Sequence, residues 1–248
     1  MNDQSLKLPK FYITAPTPCP YLKDKMERKV FTVLSGPDPA RRHEALSHMG
    51  FRRSQNIVYR PACEDCKKCI SVRVRVQDFK PSKTMARTVR KFHHLVLEDQ
   101  VPYASFEQFD LLKSYLTARH AGGGMAEMDE FEFSEMVESS PVMTRLIEYR
   151  EQRPEGAKHR SGSLAGVALT DIMSDGLSLV YSFFKTDKAA SGLGTFIILD
   201  HIQKARAAGL SYLYLGYWVK DSKTMAYKAR FQPLEFLSGD DWVNSPKH

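Results

Sequence analysis

Apolar and polar positions along the chain follow two periodicities, which predict a mixed succession of strands and helices. Residues 70–76 alternate strictly, with isoleucine and valine on one face and Ser71, Arg73 and Arg75 on the other. This pattern predicts a half-buried strand whose arginines face outward. Further strands are predicted at 28–34, 55–59, 142–149, 163–172, 177–184, 211–217 and 234–237, and helices at 39–49, 82–97, 105–120, 193–208 and 221–230.

From residue 142 onward the predicted order is β-β-β-α-β-α-β, and a glycine turn, Gly192–Leu193–Gly194, opens the first of these helices. Such a turn exposes backbone N–H groups that can bind a phosphate or a developing oxyanion. The order and the turn resemble the GNAT acyltransferase fold, although Ala189 stands where that fold usually has arginine or glutamine. The predicted class is α/β (α+β): a GNAT-like C-terminal half packed on a smaller basic α/β N-terminal half, or a double GNAT-like arrangement.

Charge divides the chain in two. Residues 1–100 carry 20 Lys and Arg against 10 Asp and Glu, whereas residues 101–248 carry 16 against 19. We therefore expect a basic N-terminal domain at 1–100 that contacts a polyanion, nucleic acid first, and a transfer domain at 101–248. A merely solvated basic surface is the alternative. The basic residues of the predicted helix at 82–97 share one face: Lys83, Arg87, Arg90 and Lys91.

Composition also indicates the compartment. The longest apolar runs are far shorter than the ~20 residues of a membrane-spanning helix, and the N-terminus lacks the apolar core of a secretory signal. Four cysteines are too few for a disulfide framework. We expect a cytoplasmic protein without a membrane partner.

The cysteines are spaced as metal ligands often are. Cys63, Cys66 and Cys69 form C-x2-C-x2-C in a loop between two predicted strands, and Cys19 can supply a fourth ligand from the N-terminal arm. A four-cysteine zinc site and an iron–sulfur cluster both fit this set. Ordinary reduced cysteines around a strand start are the alternative.

Aromatic residues crowd the predicted strand at 211–217 and its exit. Tyr214, Tyr217 and Trp218 can stack on a nucleobase or cradle an aminoacyl group, and core packing is the alternative for them. Lys223 follows on a short helix. The stretch 226–231 resembles the segment where GNAT acyltransferases place a tyrosine general acid, so Tyr227 is expected to protonate a leaving hydroxyl, with packing as its alternative.

Several stretches taken together resemble the aminoacyl-tRNA–protein transferases of the arginyl type, and within them the short bacterial leucyl-tRNA–protein transferases. The resemblance spans roughly residues 18–240. Its motifs are Cys19-Pro20-Tyr21-Leu22, Gly50-Phe51-Arg52-Arg53-Ser54, Tyr59-Arg60-Pro61, Phe79-Lys80-Pro81-Ser82-Lys83, and Tyr214-Leu215-Gly216-Tyr217-Trp218 through Lys223-x-Met225-x-Tyr227-Lys228. Leu22 stands where the longer eukaryotic enzymes have a second cysteine, so their metal site does not transfer directly.

The resemblance implies a cytoplasmic enzyme of protein turnover. Such an enzyme moves leucine from leucyl-tRNA to the α-amine of a protein beginning with Asp or Glu, and a protease adaptor of the N-end rule then reads the product. No cofactor is needed for this transfer. It requires positioning, an oxyanion donor and a proton for the leaving hydroxyl, since an α-amine with a pKa near 8 is partly neutral at pH 7.

Under this hypothesis, the expected catalytic groups are the backbone N–H groups at Leu193 and Gly194 and the phenol of Tyr227. Arg53, Arg73 and Arg75 are the expected partners of the acidic N-terminal residue. The other expected substrate contacts are Gly192, Tyr214, Tyr217, Trp218 and Lys223.

Three other functions remain open at this point. An arginyl donor would leave the chemistry unchanged. A CoA-dependent N-acyltransferase shares the fold class, and Ala189 and the basic N-terminal half argue against it. A non-enzymatic RNA-binding zinc module accounts for the charge and the cysteines but leaves residues 142–240 unexplained.

Overall fold

The structure is a computed structural model that describes residues 9–119, 125, 127–152 and 161–245. Two sheets dominate it, one of four strands and one of eight. The elements before residue 101 are β1 (Tyr12–Ile13), β2 (Thr17–Pro18), β3 (Met26–Glu27), β4 (Lys29–Val33), α1 (Pro39–His48), β5 (Arg52–Ser54), β6 (Ile57–Pro61), β7 (Ile70–Arg75), α2 (Lys83–Phe92) and β8 (Val96–Gln100).

The remaining elements follow the predicted order. They are α3 (Phe106–Arg119), α4 (Glu130–Glu138), β9 (Thr144–Gln152), β10 (Ser161–Ile172), β11 (Gly176–Phe184), α5 (Leu193–Ala207), β12 (Tyr212–Trp218), a 3-10 helix (Ala226–Arg230), β13 (Leu234–Ser238) and β14 (Asp241–Val243). The predicted strands and helices are found, with two differences in their extent, and the short strands β1, β2, β3, β5 and β14 were not predicted. The helix expected at 82–97 ends at Phe92 and is followed by β8, and the helix expected at 221–230 is a single short 3-10 segment.

Local sequence explains the helix starts. Pro39 opens α1 after Asp38, whose side chain accepts a hydrogen bond from the Arg41 N–H. Ser82 caps α2 in the same way through the Met85 N–H, and Asp129 and Glu132 form a reciprocal capping box on α4.

The large sheet has the order β14-β13-β7-β12-β11-β10-β9-β8, and the small sheet has the order β1-β4-β6-β5. One face of the large sheet packs against α2 and α5, and the other packs in part against α3 and α4. The division at residue 100 stays a prediction. The large sheet draws β7 and β8 from residues before it.

Strand β7 departs from the outward-facing arginines expected of it. Both its edges are paired, with β12 and β13, and both its faces are covered, because four consecutive residues of the strand are buried. Val72 and Val74 enter the main apolar core, while Ser71 and Arg73 are also buried, each 8% exposed. Among the described residues, no helix has the length and apolar character needed to cross a membrane.

Candidate active site

Strands β11 and β12 run parallel and then part. They are paired only from Gly176 to Ser178 and from Tyr212 to Tyr214, although β11 continues to Phe184 and β12 to Trp218. The carboxyl ends of the two strands therefore open a cleft in the sheet. Clefts at this end of neighbouring parallel strands are common binding sites in α/β proteins.

Helix α5 begins beside this cleft. A Cβ on Gly194 would lie 2.6 Å from the ring of Phe184, so only glycine allows the helix to pack this closely on the end of β11. The Leu193 N–H donates to the Ala190 carbonyl at 2.9 Å, and the first bond inside the helix runs from the Phe196 N–H to the Gly192 carbonyl. One of the two expected oxyanion donors, the Leu193 N–H, is thus already hydrogen-bonded within the protein. The other, the Gly194 N–H, has no partner among the described residues and is still available to a ligand.

Tyr227 lies on the other side of the cleft, on the 3-10 helix that follows β12, and is 36% exposed. Burial, and to a lesser extent its neighbour Tyr115, raises the pKa of Tyr227 to about 12, so the phenol keeps its proton at neutral pH. The Tyr115 ring lies 5.0 Å from the Phe184 ring. The start of α5 is thus connected with the 3-10 helix through a series of neighbouring residues: Gly194, Phe184, Tyr115 and Tyr227.

Two basic side chains donate hydrogen bonds to backbone carbonyls of the parted strands. Arg52 of β5 donates from Nη2 to the carbonyls of Leu179 at 3.3 Å and Val180 at 2.8 Å on β11. Lys228, which is 6% exposed, donates from Nζ to the carbonyls of Leu215 at 2.8 Å and Tyr217 at 2.6 Å on β12.

Gly216 makes the Arg52 position possible. Its φ is +69°, and a Cβ at this position would overlap the Arg52 guanidinium. A side chain on residue 216 would therefore be strained in its own backbone conformation and would displace Arg52.

The three arginines expected to bind an acidic N-terminus all have carboxylate partners within the protein, two of them buried and the third, Arg75, at the surface. Arg53 forms a buried bidentate pair with Asp171, with both N···O distances 2.6 Å. Arg73 is bound to Glu235 at 2.8 Å, and Arg75 lies 3.2 Å from Asp78. As substrate ligands these arginines stay predictions.

The aromatic residues of β12 divide between its two faces. The single O–H of Tyr217 is shared between the Gly50 and Tyr59 carbonyls at 3.1 and 2.9 Å, which ties β12 to the N-terminal half. Trp218 packs edge-on against Phe236 at 5.2 Å in the main core. Tyr214 donates to Asp175 at 2.8 Å, at the paired end of β12 away from the cleft.

The basic face of α2 adjoins the start of α5. Lys91 Nζ donates to the Ser191 carbonyl at 2.7 Å, and Thr88 lies against Gly192. The opposite side of α2 is apolar and packs on α5 through residues such as Phe92 and Val89. The exposed basic residues of this face form no ion pair with any described residue: Lys83, Arg87, Arg90 and Lys91. Lys223 is likewise exposed and lies after β12.

The four cysteines are half-buried, and none is in a disulfide. Burial and the neighbouring thiols of Cys19, Cys66 and Cys63 raise the pKa of Cys69 to about 12, so the four side chains do lie near one another. Among the described residues, however, no three Cys, His, Asp or Glu side chains converge as metal ligands do. A zinc or iron–sulfur site therefore stays a prediction, and no step below depends on it.

Sequence reasoning missed Arg52, Lys228 and Tyr115 as members of the cleft. Arg52 and Lys228 stand inside the motifs that carry the family resemblance, each directly beside a residue that was chosen. Adjacent residues of a strand point to opposite faces, and the sequence does not tell which face of β5 meets the cleft. Tyr115 has no signal of its own, because it lies on α3 and reaches β11 only through tertiary packing.

Known proteins resemble this chain along almost its whole length. Residues 17–87 match the family model described as "Arginine-tRNA-protein transferase, N terminus", and residues 107–238 match its C-terminal counterpart. An "Aspartate/glutamate leucyltransferase" of Rhizorhabdus wittichii is 53% identical over 95% of this chain and 88% of its own length. The protein of that name from Parvibaculum lavamentivorans is 51% identical over 99% of both chains.

A solved structure supports the GNAT-like fold. FemX matches with a TM-score of 0.50 and 9% identity, over 81% of this chain and 68% of its own. At this low identity the likeness concerns the fold alone, and it agrees with the fold class expected from the sequence.

Proposed function

The chain belongs to the arginine-tRNA–protein transferase family, and on this premise we propose that it transfers leucine from leucyl-tRNA to the α-amine of proteins beginning with aspartate or glutamate. The observation that carries the proposal is the ~50% identity to curated aspartate/glutamate leucyltransferases over nearly the full length of the chain. The protein is accordingly an aminoacyltransferase, with aminoacyl-tRNA and a protein as its two substrates.

The transfer is the aminolysis of an ester. The neutral α-amine attacks the carbonyl carbon of the leucyl ester, a C–N bond forms, and the C–O bond to the terminal ribose of the tRNA breaks. The amine loses a proton to solvent, and the leaving ribose oxygen gains one. Because an α-amine has a pKa of about 8, a useful fraction is neutral at pH 7 without a strong general base.

The cleft between β11 and β12 can support both charge changes. The N–H of Gly194, which has no hydrogen-bond partner among the described residues, can donate to the oxygen that becomes negative in the tetrahedral intermediate. Tyr227 holds its proton at neutral pH and can deliver it to the leaving ribose oxygen. Both assignments belong to the proposal.

The basic face of α2 supports a tRNA substrate. Its four cations are exposed, unpaired within the described part of the chain, and continuous with the turn that precedes α5. When these side chains bind tRNA phosphates, they displace the counterions that surround the tRNA. Added salt opposes this release, so the affinity for tRNA should fall steeply as the salt concentration rises. We also infer that the reaction occurs in the cytoplasm and that a protease adaptor recognises the new N-terminal leucine.

A transfer assay tests the proposal. Purified protein is incubated with tRNA charged with radiolabelled leucine or arginine and with peptides that differ only in a first residue of Asp, Glu or Ala. We expect one leucyl residue on the Asp and Glu peptides and none on the Ala peptide. Arginine on the same peptides would correct the donor, which the description of the family model makes the second candidate. No product with either tRNA in folded protein would refute the proposal.

A further inference from the structure

The two basic side chains at the cleft lack a balancing carboxylate among the described residues. Neither Arg52 nor Lys228 forms an ion pair with a described residue. Burial and the nearby Arg52 lower the pKa of Lys228 well below its usual range, and no acidic group opposes that effect. Glu27 acts on the neighbouring Tyr21 but is itself paired with Lys29 at 2.8 Å.

An uncompensated cation that is partly removed from water is costly, and an arriving anion relieves that cost. Arg52 is half-buried and differs in this from the two buried arginines, Arg53 and Arg73. Arg53 and Arg73 have Asp171 and Glu235 respectively as partners, whereas Arg52 donates only to two carbonyls among the described residues. Its positive charge is thus paired with no described carboxylate.

Arg52 also retains donors for a ligand. Its Nη2 contacts β11, while Nε and Nη1 have no hydrogen-bond partner among the described residues and lie over the bare Cα of Gly216. Each of these two N–H groups can donate one hydrogen bond to a carboxylate oxygen, and the guanidinium charge strengthens such a bond. Tyr227 is close enough for Arg52 to act on its pKa, so these N–H groups lie near the residue expected to serve the reaction.

We propose that Arg52 binds the side-chain carboxylate of the N-terminal Asp or Glu of the protein substrate. The inference rests on the proposed function. In an N-terminal Asp or Glu, the carboxylate is only two or three carbons from the Cα that bears the attacking amine. An anion site close to Tyr227 therefore suits the molecule whose amine reacts, while the exposed face of α2 is available for tRNA phosphates.

The test compares Arg52→Gln and Arg52→Lys with wild type at saturating leucyl-tRNA, using peptides that begin with Asp and with its neutral isostere Asn. Arg60→Gln is the matched control, because Arg60 is exposed on β6, stacks over Phe51 and forms no ion pair with a described residue. The affinity of each variant for leucyl-tRNA is measured separately by fluorescence anisotropy.

We expect Arg52→Gln to lower kcat/KM for the Asp peptide by about 30-fold or more and to leave the low activity on the Asn peptide nearly unchanged. Arg52→Lys, which keeps the charge but loses the planar set of donors that binds β11 and the ligand at once, should raise KM for the Asp peptide about tenfold. Arg60→Gln should behave as wild type, and tRNA affinity should be the same in all four proteins.

Three results would overturn the inference. A purely structural Arg52 would lower activity on both peptides by the same factor. A phosphate ligand would appear as a loss of tRNA affinity with unchanged Asp-over-Asn preference. If Arg52→Gln does not fold, an unchanged KM for the Asp peptide in folded Arg52→Lys would also refute the assignment. Wild type that transfers no leucine to the Asp peptide contradicts the proposed function instead, so the two failures are distinguishable.

Discussion

Replacing Arg53 with methionine should destabilise the protein strongly. The Arg53 side chain is 1% exposed and that of Asp171 is fully buried, and two N–H···O contacts of 2.6 Å join them. Thr144 donates to the same carboxylate at 2.7 Å, and His43 lies 3.6 Å from it. Without Arg53 the carboxylate loses its only bidentate cation in the described structure while still excluded from water.

Removing one partner of a buried, hydrogen-bonded ion pair costs about 3–5 kcal/mol of unfolding free energy. For a chain of this size that corresponds to a drop in Tm of roughly 6–20 °C. The double variant Arg53→Met with Asp171→Leu should recover part of the loss, because no buried charge is then left unpaired.

Urea denaturation followed by circular dichroism measures both effects, and steady-state kinetics at a temperature where Arg53→Met is folded completes the test. KM for an Asp-led peptide should stay within about twofold of wild type if Arg53 acts through the fold. Unchanged stability together with a tenfold higher KM would reverse the argument and make Arg53 a substrate ligand, as the sequence suggested.

Three further predictions concern the cleft, pH and the cysteines. Tyr227→Phe should lower kcat by about 10²–10⁴-fold at unchanged KM, with the exposed Tyr103→Phe as control, and full kcat in a folded variant would exclude a leaving-group role. Burial lowers the pKa of His43 and His201, so below about pH 6.5 the unfolded chain binds protons that the folded one does not. Stability should then fall by about 1.4 kcal/mol per pH unit for each histidine, and urea midpoints from pH 8 to 5.5 that do not move would contradict this. Elemental analysis tests the metal site that the cysteine spacing predicts: one zinc or one iron–sulfur cluster per chain that Cys69→Ser removes would confirm it, and fully active metal-free protein would rule out a required metal.

The order of elements was readable from the sequence, since helical and strand periodicities report local burial. Strand β8 was missed because Glu98, Asp99 and Gln100 are polar, which an edge strand permits. The burial of Arg73 was missed for a related reason. Alternation shows that two faces of β7 differ, but it does not show that Tyr214 and Trp242 cover the polar one.

The site was predictable only in part. Gly194 and Tyr227 came from the turn and from a family resemblance, and the structure brings both to the parted strands. The place of Arg52 in the site could not be predicted from the sequence. Its partners, Leu179 and Val180, are more than 120 residues away along the chain and contribute only backbone carbonyls. No side-chain pattern records such a contact.

The central place of β7 has a consequence for synthesis on the ribosome. Val74 pairs with Leu213 on one side and with Leu234 on the other, so its partners are made some 140 and 160 residues after it. Until they emerge, the growing chain carries an apolar strand with two open edges and an arginine whose counter-charge, Glu235, does not yet exist. Strands that pair across such long sequence separations fold slowly, and their apolar surface stays exposed to aggregation in the meantime. Translation of this protein should therefore depend on nascent-chain chaperones until its last strands are complete.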